Sequence, residues 1–312
     1  MSTEKTVRDA CNTWLKRCER DELERATLRS YRGHVVHHIE PKLGDRMLSA
    51  LSRADVRDFL DQMLDANSRA MTDKVLRSLR SALNEAVDRE WIETNVALSV
   101  KLRRSSRNAP ERIIPTKSEI KLMLDHVPAR HRPLITTAIF TGMRMSELRG
   151  LRWEDVDFMR GIIHIRQRAD RFNKIGRPKS KSSRRDIPMA PSVKAVLMAW
   201  KPLCPTGDLD LVFPNGIGKI ESPSNIYNRI LVPLLLDAGI VTPEGKPKFS
   251  FHALRHAAAS LFIDQGWPAK KVQTILGHAS ITMTFDVYGH LFENAEDDVD
   301  LFAKLEADLK AA

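Results

Sequence analysis

Apolar residues recur at helical spacing along most of this 312-residue chain, and the period changes in one place. In "TVRDACNTWLKRC" the residues Val7, Cys11, Trp14, Leu15 and Cys18 share one side of a helix. "SRADVRDFLDQML" opens on a serine cap and aligns Val56, Phe59, Leu60, Met63 and Leu64. "TDKVLRSLRSALNEAVDREWI" repeats the stripe with Val75, Leu79, Leu83 and Val87. "TLRSYRGHVVHHI" reads as a further helix that Pro41 should close. The change comes at "IIHIRQR", which alternates apolar and polar residues; "NKIGRPK" supplies a turn and "SRRDIPM" runs back. A mainly α chain with one small antiparallel β-sheet follows.

The helical stripes of residues 1–104 make a first domain with arginines on its outer faces. "KLRRSSRNAPERIIP" is polar, basic and bounded by prolines, so residues 105–115 read as a linker. Thr116 and Glu119 then form a capping-box pattern that opens a second domain, residues 116–292. "RPLITTAIFTGM" is apolar enough to be buried, and helices resume after the ribbon at "SVKAVLMAW", "SNIYNRILVPLLLDAG", "HALRHAAASLFIDQG" and "AKKVQTILG". Residues 293–312 form an amphipathic tail, with Val299, Phe302, Leu305 and Leu309 on one side and seven Asp/Glu against Lys304 between Glu293 and Asp308. Its charge disfavours DNA, and its stripe suits docking on a neighbouring protomer.

With 42% hydrophobic and 29% charged residues the chain is globular rather than disordered. No apolar run reaches the ~20 residues of a membrane span; "LVPLLLDAGIV" is broken by Pro233 and Asp237. The charged N-terminus lacks a signal core, and Cys11, Cys18 and Cys204 form neither a metal-ligand spacing nor a disulfide set, so a cytoplasmic, nucleoid-associated protein is expected. The formal charge of +10 favours a polyanionic partner. Ten Lys/Arg residues against the single acid Asp170 lie between Arg160 and Arg185, and Arg168, Arg171, Lys174, Arg177 and Arg184 are the candidates there for phosphate contact.

Four constellations carry chemistry. In "TGMRMSELRGL", Gly142 permits a tight turn that leaves Arg144 at a helix start, where a guanidinium and backbone amides suit an oxyanion, with Glu147 three residues on to brace it. In "FHALRH", His252 and Arg255 share a helix face. His252 and His256 have zinc-ligand spacing, but Ala253 stands where the general-base glutamate of that motif belongs, and no metal or other cofactor is expected. In "LGHASITMTFDVYGH", His278 follows a helix-ending Gly277 and Tyr288 comes ten residues later. In "RPKSKSSRRDIPM", Lys179 and Lys181 would share a face if the segment were a strand, so periodicity does not choose between them.

In this order, Arg, Lys, His-x-x-Arg, His and Tyr, the chain resembles the tyrosine recombinase (phage integrase) family over about Thr116 to Leu291, and its first half is similar to the family's core-binding domain. The resemblance implies a two-domain recombinase in which Arg144 and Arg255 bind the scissile phosphate, His252 and His278 assist, and Tyr288 is the nucleophile. A ribbon lysine in a "K-T-x-x-S-x-R-x-I-P" context is implied as general acid; "KSKSSRRDIP" matches it best at Lys179, with Lys181 in reserve. The chain departs from the family at Ala253, where Asp is frequent, and its first helices read as core-binding-like, so the resemblance does not extend to the arm-site recognition that many phage integrases carry.

The chemistry implied is metal-free. Two arginines neutralise the phosphodiester and hold charge that builds in the transition state, His252 takes the tyrosine proton, and the lysine protonates the leaving 5′ oxygen. A 3′-phosphotyrosine results, and a second 5′-hydroxyl can reverse it. The expected partners are double-stranded recombination sites, a homotetramer on two duplexes from a monomer without DNA, and accessory bending or excision factors. A mobile-element integrase is the leading reading; a Xer-like resolvase, a type IB topoisomerase-like enzyme and a non-catalytic DNA-binding regulator are the rivals.

Overall fold

The computed structural model describes residues 4–102, 113–178 and 180–292; Lys179, most of the expected linker and the tail at 293–312 lie outside them. The chain divides into two compact units, Met1–Pro110 and Glu111–Ala312. Helices dominate both, and the sheet is small and antiparallel.

In the first unit α1 (Val7–Arg20) starts at a capping box: Thr6 Oγ1 accepts the Asp9 N–H, and the Asp9 carboxylate accepts the Thr6 N–H at 2.9 Å. The expected stripe of α1 is buried, Cys11 and Cys18 included. The pair α2 (Arg25–His34) and α3 (Glu40–Leu43) is joined by a π-helical stretch, Val35–Ile39. Next come α4 (Arg53–Ala66), capped by Ser52, and α5 (Arg69–Asp88), which packs along α1. Their stripes close a core of Val56, Phe59, Met63, Leu79 and Leu83, among others, while Leu64 and Val87 are half-buried at its rim. Glu85 is buried on α5 and accepts from Arg17 at 2.6 Å and Arg89 at 2.7 Å, which keeps its charge compensated.

Pro41 does not end its helix as the sequence suggests. Proline cannot donate to the carbonyl four residues back, and its ring collides with that carbonyl. The widened π turn lies directly over that position, so the chain continues helically to Leu43. The same device recurs in the second unit, where α10 (Pro223–Asn225) and α11 (Val232–Asp237) are joined by the π stretch Ile226–Leu231 immediately before Pro233.

The second unit opens with α6 (Lys117–His126) on the expected Thr116–Glu119 capping box. Helix α7 (Arg132–Thr141) is buried along almost its whole length, with α9 (Pro191–Trp200) and α12 (His252–Asp264) packed against it. It ends at Gly142 in a left-handed conformation (φ 61°), and α8 (Met145–Gly150) follows after a two-residue step. The sheet has the order β1 (Val156–Asp157), β2 (Ile162–Ile165), β5 (Arg185–Pro188), with Ile163 opposite Ile187 and Ile165 opposite Arg185. Between β2 and β5 a second ribbon pairs β3 (Arg168–Ala169) with β4 (Ile175–Gly176). Asp170 Oδ1 closes its turn by accepting from Phe172 and Lys174. Helices α13 (Ala269–Leu276) and α14 (Ile281–Tyr288) close the described part of the unit, separated by the four residues Gly277 (φ 68°), His278, Ala279 and Ser280.

Candidate active site

The site is built where four chain reversals meet: the α7–α8 step, the return into β5, the start of α12 and the α13–α14 turn. Left-handed glycines end both α7 and α13, and each offers a carbonyl to an arginine from elsewhere. Arg255 Nη1 donates to Gly142 O at 2.7 Å, and Arg144 Nη2 donates to Gly277 O at 2.8 Å. A side chain at either glycine would be strained by the positive φ and crowded by its neighbours. A Cβ on Gly142 would stand 2.6 Å from Leu276 Cδ2, and one on Gly277 would stand 3.0 Å from Ser182 O. The positive φ that the sequence needs at these helix ends therefore also fixes two guanidinium groups.

Arg144 is the N-cap of α8, as its position before "MSEL" suggests. Its backbone N–H and its Nη1 both donate to Glu147, at 2.9 and 2.8 Å, and 31% of its side chain stays exposed. Glu147 is buried and braces a second cation that sequence reasoning missed. Arg185 donates to both Glu147 oxygens, at 3.0 and 3.1 Å, and to Ser183 O at 3.0 Å. Burial alone would raise the Glu147 carboxyl; Arg185 beside it, helped by Arg144, outweighs burial and holds it below the ordinary range. The signal for Arg185 was present: in "RDIP" it occupies the inward slot with Ile187, so the alternation that defines the strand also buries an arginine.

Arg255 lies on the first turn of α12 and is 3% exposed. Its Nη2 donates to Leu276 O at 2.7 Å. Burial, together with the nearby Arg144 charge, pushes its pKa down to about 9. A buried guanidinium whose hydrogen bonds go to carbonyl oxygens has every electrostatic reason to welcome an anion. His278 follows Gly277, is nearly buried, and keeps Nδ1 2.9 Å from Thr284 Oγ1. Burial, then the charges of Arg255, Arg144 and Arg185, lowers its pKa to about 3, so the imidazole is neutral at any ordinary pH.

Tyr288 ends α14 with its side chain buried. Its ring lies nearly parallel to that of His278, with centroids 6.5 Å apart. Its hydroxyl is 2.7 Å from Nδ1 of His256, a residue that sequence reasoning considered only as a metal ligand. His252 is exposed one turn earlier on α12, and its ring meets His256 edge-on at 4.9 Å. The four-residue spacing that suggested a metal pair thus presents one of the two histidines to a tyrosine. Among the described residues no group of three His, Cys, Asp or Glu is placed to hold a metal ion.

A cleft of about 370 Å³ opens beside this cluster, lined by Arg144, Glu147, Arg168, Ser183, Gly277 and Met283 among others. Arg171, Lys174 and Arg177 are exposed along the β3–β4 ribbon, Arg184 is exposed before β5, and Arg168 is half-buried at the cleft. Lys181 does not sit on a strand: it opens a single 3-10 turn with Ser182 and Ser183, so the shared-face expectation for the two lysines does not apply. Lys179 lies outside the described residues.

Residues 111–295 match the model of the phage integrase family. The chain belongs to this family. Its members cleave and rejoin DNA as tyrosine recombinases. Among curated relatives, a XerC-like tyrosine recombinase of Caldanaerobacter subterraneus is 26% identical over 92% of this chain and 79% of its own length. An integrase of Streptomyces ambofaciens is 29% identical over 91% of this chain and 76% of its own. Among solved structures, the Tn1549 transposon integrase in complex with a circular intermediate DNA aligns with a TM-score of 0.82 at 22% identity, over 97% of this chain and all of that one. Lambda integrase bound as a dimer to a core site aligns with a TM-score of 0.72 at 20% identity, over 93% and 78%. No described helix is long and apolar enough to cross a membrane.

Proposed function

We propose that this chain is an integrase of a mobile element that breaks and rejoins double-stranded DNA through Tyr288. The observation that carries the reading is the convergence of Arg144, Arg255, His278 and Tyr288 on one side of the second unit. Arg144 and Arg255 take the two non-bridging oxygens of the scissile phosphate. Their charge is most valuable as the pentacoordinate transition state builds negative charge. Glu147, itself held by Arg185, braces Arg144 from behind. Thr284 engages Nδ1 of the neutral His278, so its Nε2–H is left to donate to the same phosphate. The phenolic oxygen attacks phosphorus, the 5′ oxygen leaves with a proton from a ribbon lysine, Lys179 or Lys181, and a 3′-phosphotyrosine is left. A 5′-hydroxyl from a second duplex reverses the step and completes the exchange.

Residues 1–104 serve as the core-binding domain, and Arg168, Arg171, Lys174, Arg177 and Arg184 follow the DNA backbone. Exchange between two duplexes needs four nucleophiles, which favours a tetramer of chains that are monomeric without DNA. Tail docking between protomers and accessory bending or excision factors fit that assembly. A mobile-element role is supported by the relatives, which include transposases of Tn916 and Tn1545. A Xer-like resolvase shares the same chemistry, and joining of two labelled duplexes separates either from simple relaxation of supercoils. The test of the reading is a duplex selected by the chain from a randomised pool, then nicked next to the cleavage position so that religation is lost. An SDS-resistant protein–DNA adduct is expected with the wild type. Binding without any adduct would make the chain a DNA-binding regulator.

A further inference from the structure

We propose that His256 is the residue that takes the phenolic proton of Tyr288 as it attacks. The proposal rests on the phosphotyrosine reading above and assigns a step that reading leaves open. Two histidines, His256 and His278, meet the ring of the tyrosine and a third, His252, meets His256, and the geometry distinguishes them. His256 places Nδ1 2.7 Å from the hydroxyl oxygen, with the rings in an edge-on arrangement at 5.6 Å. His278 faces Thr284 with its Nδ1 and is held neutral by burial and by three neighbouring arginines, which suits a hydrogen-bond donor and not a base. His252 sits one turn earlier on α12, exposed, with its ring against the edge of His256.

The neutral tautomer with its proton on Nε2 accepts the Tyr288 O–H at Nδ1. An unassisted tyrosine hydroxyl has a pKa near 10, so a base in contact matters at neutral pH. In the step itself the O–H bond breaks as the O–P bond forms. The proton moves to His256 Nδ1, the P–O5′ bond breaks, and O5′ leaves with the proton of the ribbon lysine. The resulting imidazolium keeps the proton in place for the reverse reaction. When a 5′-hydroxyl attacks the phosphotyrosine, the departing phenolate recovers it from Nδ1. One histidine therefore serves as base in cleavage and as acid in religation, as reversibility requires.

The experiment measures single-turnover adduct formation on a nicked duplex selected by the wild-type chain from a randomised pool, with enzyme saturating. His256→Ala and His256→Gln are expected to bind that duplex as the wild type does and to form adduct about 10²–10⁴-fold more slowly. Added imidazole is expected to speed His256→Ala. A 5′-bridging phosphorothiolate duplex, whose sulfur leaves without a proton, is expected to restore a ribbon-lysine variant and leave the His256 variants slow. Should His256→Ala fold poorly, His256→Asn, which keeps a polar contact but takes no proton, carries the same expectation. A His256→Gln or His256→Asn variant that cleaves at the wild-type rate overturns the proposal. So does a faster His256→Ala, which would make His256 a clamp that parks the tyrosine. A wild type that binds DNA without forming adduct fails earlier, at the reading beneath, and takes this proposal with it.

Discussion

Arg185 holds both oxygens of the Glu147 carboxylate, Nη1 on Oε1 and Nη2 on Oε2, and Arg144 reaches the first of them from the opposite side. One buried carboxylate thereby orients a guanidinium that faces the cleft and neutralises another that does not. Removing Glu147 leaves Arg185 buried without its counter-ion, a change that generally costs about 3–5 kcal/mol. Glu147→Ala is expected to lower the denaturation midpoint by an amount in that range. Glu147→Gln keeps the shape and loses the charge; it should retain more stability and still cleave slowly. Urea titrations beside single-turnover cleavage separate the two effects.

Gly142 and Gly277 give carbonyls to Arg255 and Arg144 from left-handed backbone. Alanine at either is expected to cost about 1–2 kcal/mol from φ alone, and the clash with Leu276 or Ser182 adds to it. Because the displaced carbonyl carries an arginine with it, cleavage should fall by more than stability explains. Thermal melts and adduct yields measured on the same preparations test this. A Gly277→Ala variant that melts lower but cleaves normally would uncouple the turn from the chemistry.

His278 gives a pH prediction with a definite sign. Its folded pKa, about 3, lies below the ordinary value near 6.5 because of burial and then the surrounding arginines. The unfolded chain therefore binds a proton that the folded chain does not, between about pH 6.5 and pH 3. Stability from this group is lost as pH falls through that window, by at most about 1.4 kcal/mol per unit. His278→Gln, which cannot charge, should show a flatter acid limb in ΔG against pH. An unchanged slope would mean that the imidazole is solvated in solution.

Much of this was legible in sequence for identifiable reasons. Thr116 with Glu119, Ser52 before its apolar stripe, and the alternation in "IIHI" report local backbone preferences, and the structure follows each. Arg144, Glu147 and Gly277 were legible because a helix start, a brace and a helix stop are also local. What stayed hidden depends on contacts across long separations. The Arg185–Glu147 pair spans 38 residues and the His256–Tyr288 contact 32, and spacing alone does not reveal them. The two π turns were hidden for the opposite reason, since proline reads as a stop until the neighbouring turn is seen to widen around it.

DNA affinity should fall steeply with salt, because each neutralised phosphate contributes about −0.9 to the slope of log K against log salt. Arg171, Lys174, Arg177 and Arg184 are exposed, and each →Ala change is expected to reduce that slope by about one. Titrations of a selected duplex at four salt concentrations measure it. An unchanged slope for a variant removes that residue from the phosphate contacts.

The central claim is that Tyr288 becomes joined to DNA, and the composition makes it easy to test because the chain has three tyrosines, Tyr31, Tyr227 and Tyr288. The direct measurement is to trap the adduct on a nicked duplex, digest protein and DNA, and locate the modified peptide by mass spectrometry. The account predicts a nucleotide-bearing tyrosine at Tyr288 and no adduct from Tyr288→Phe at equal DNA binding. Modification at Tyr31 or Tyr227, or an adduct that persists in Tyr288→Phe, would contradict it.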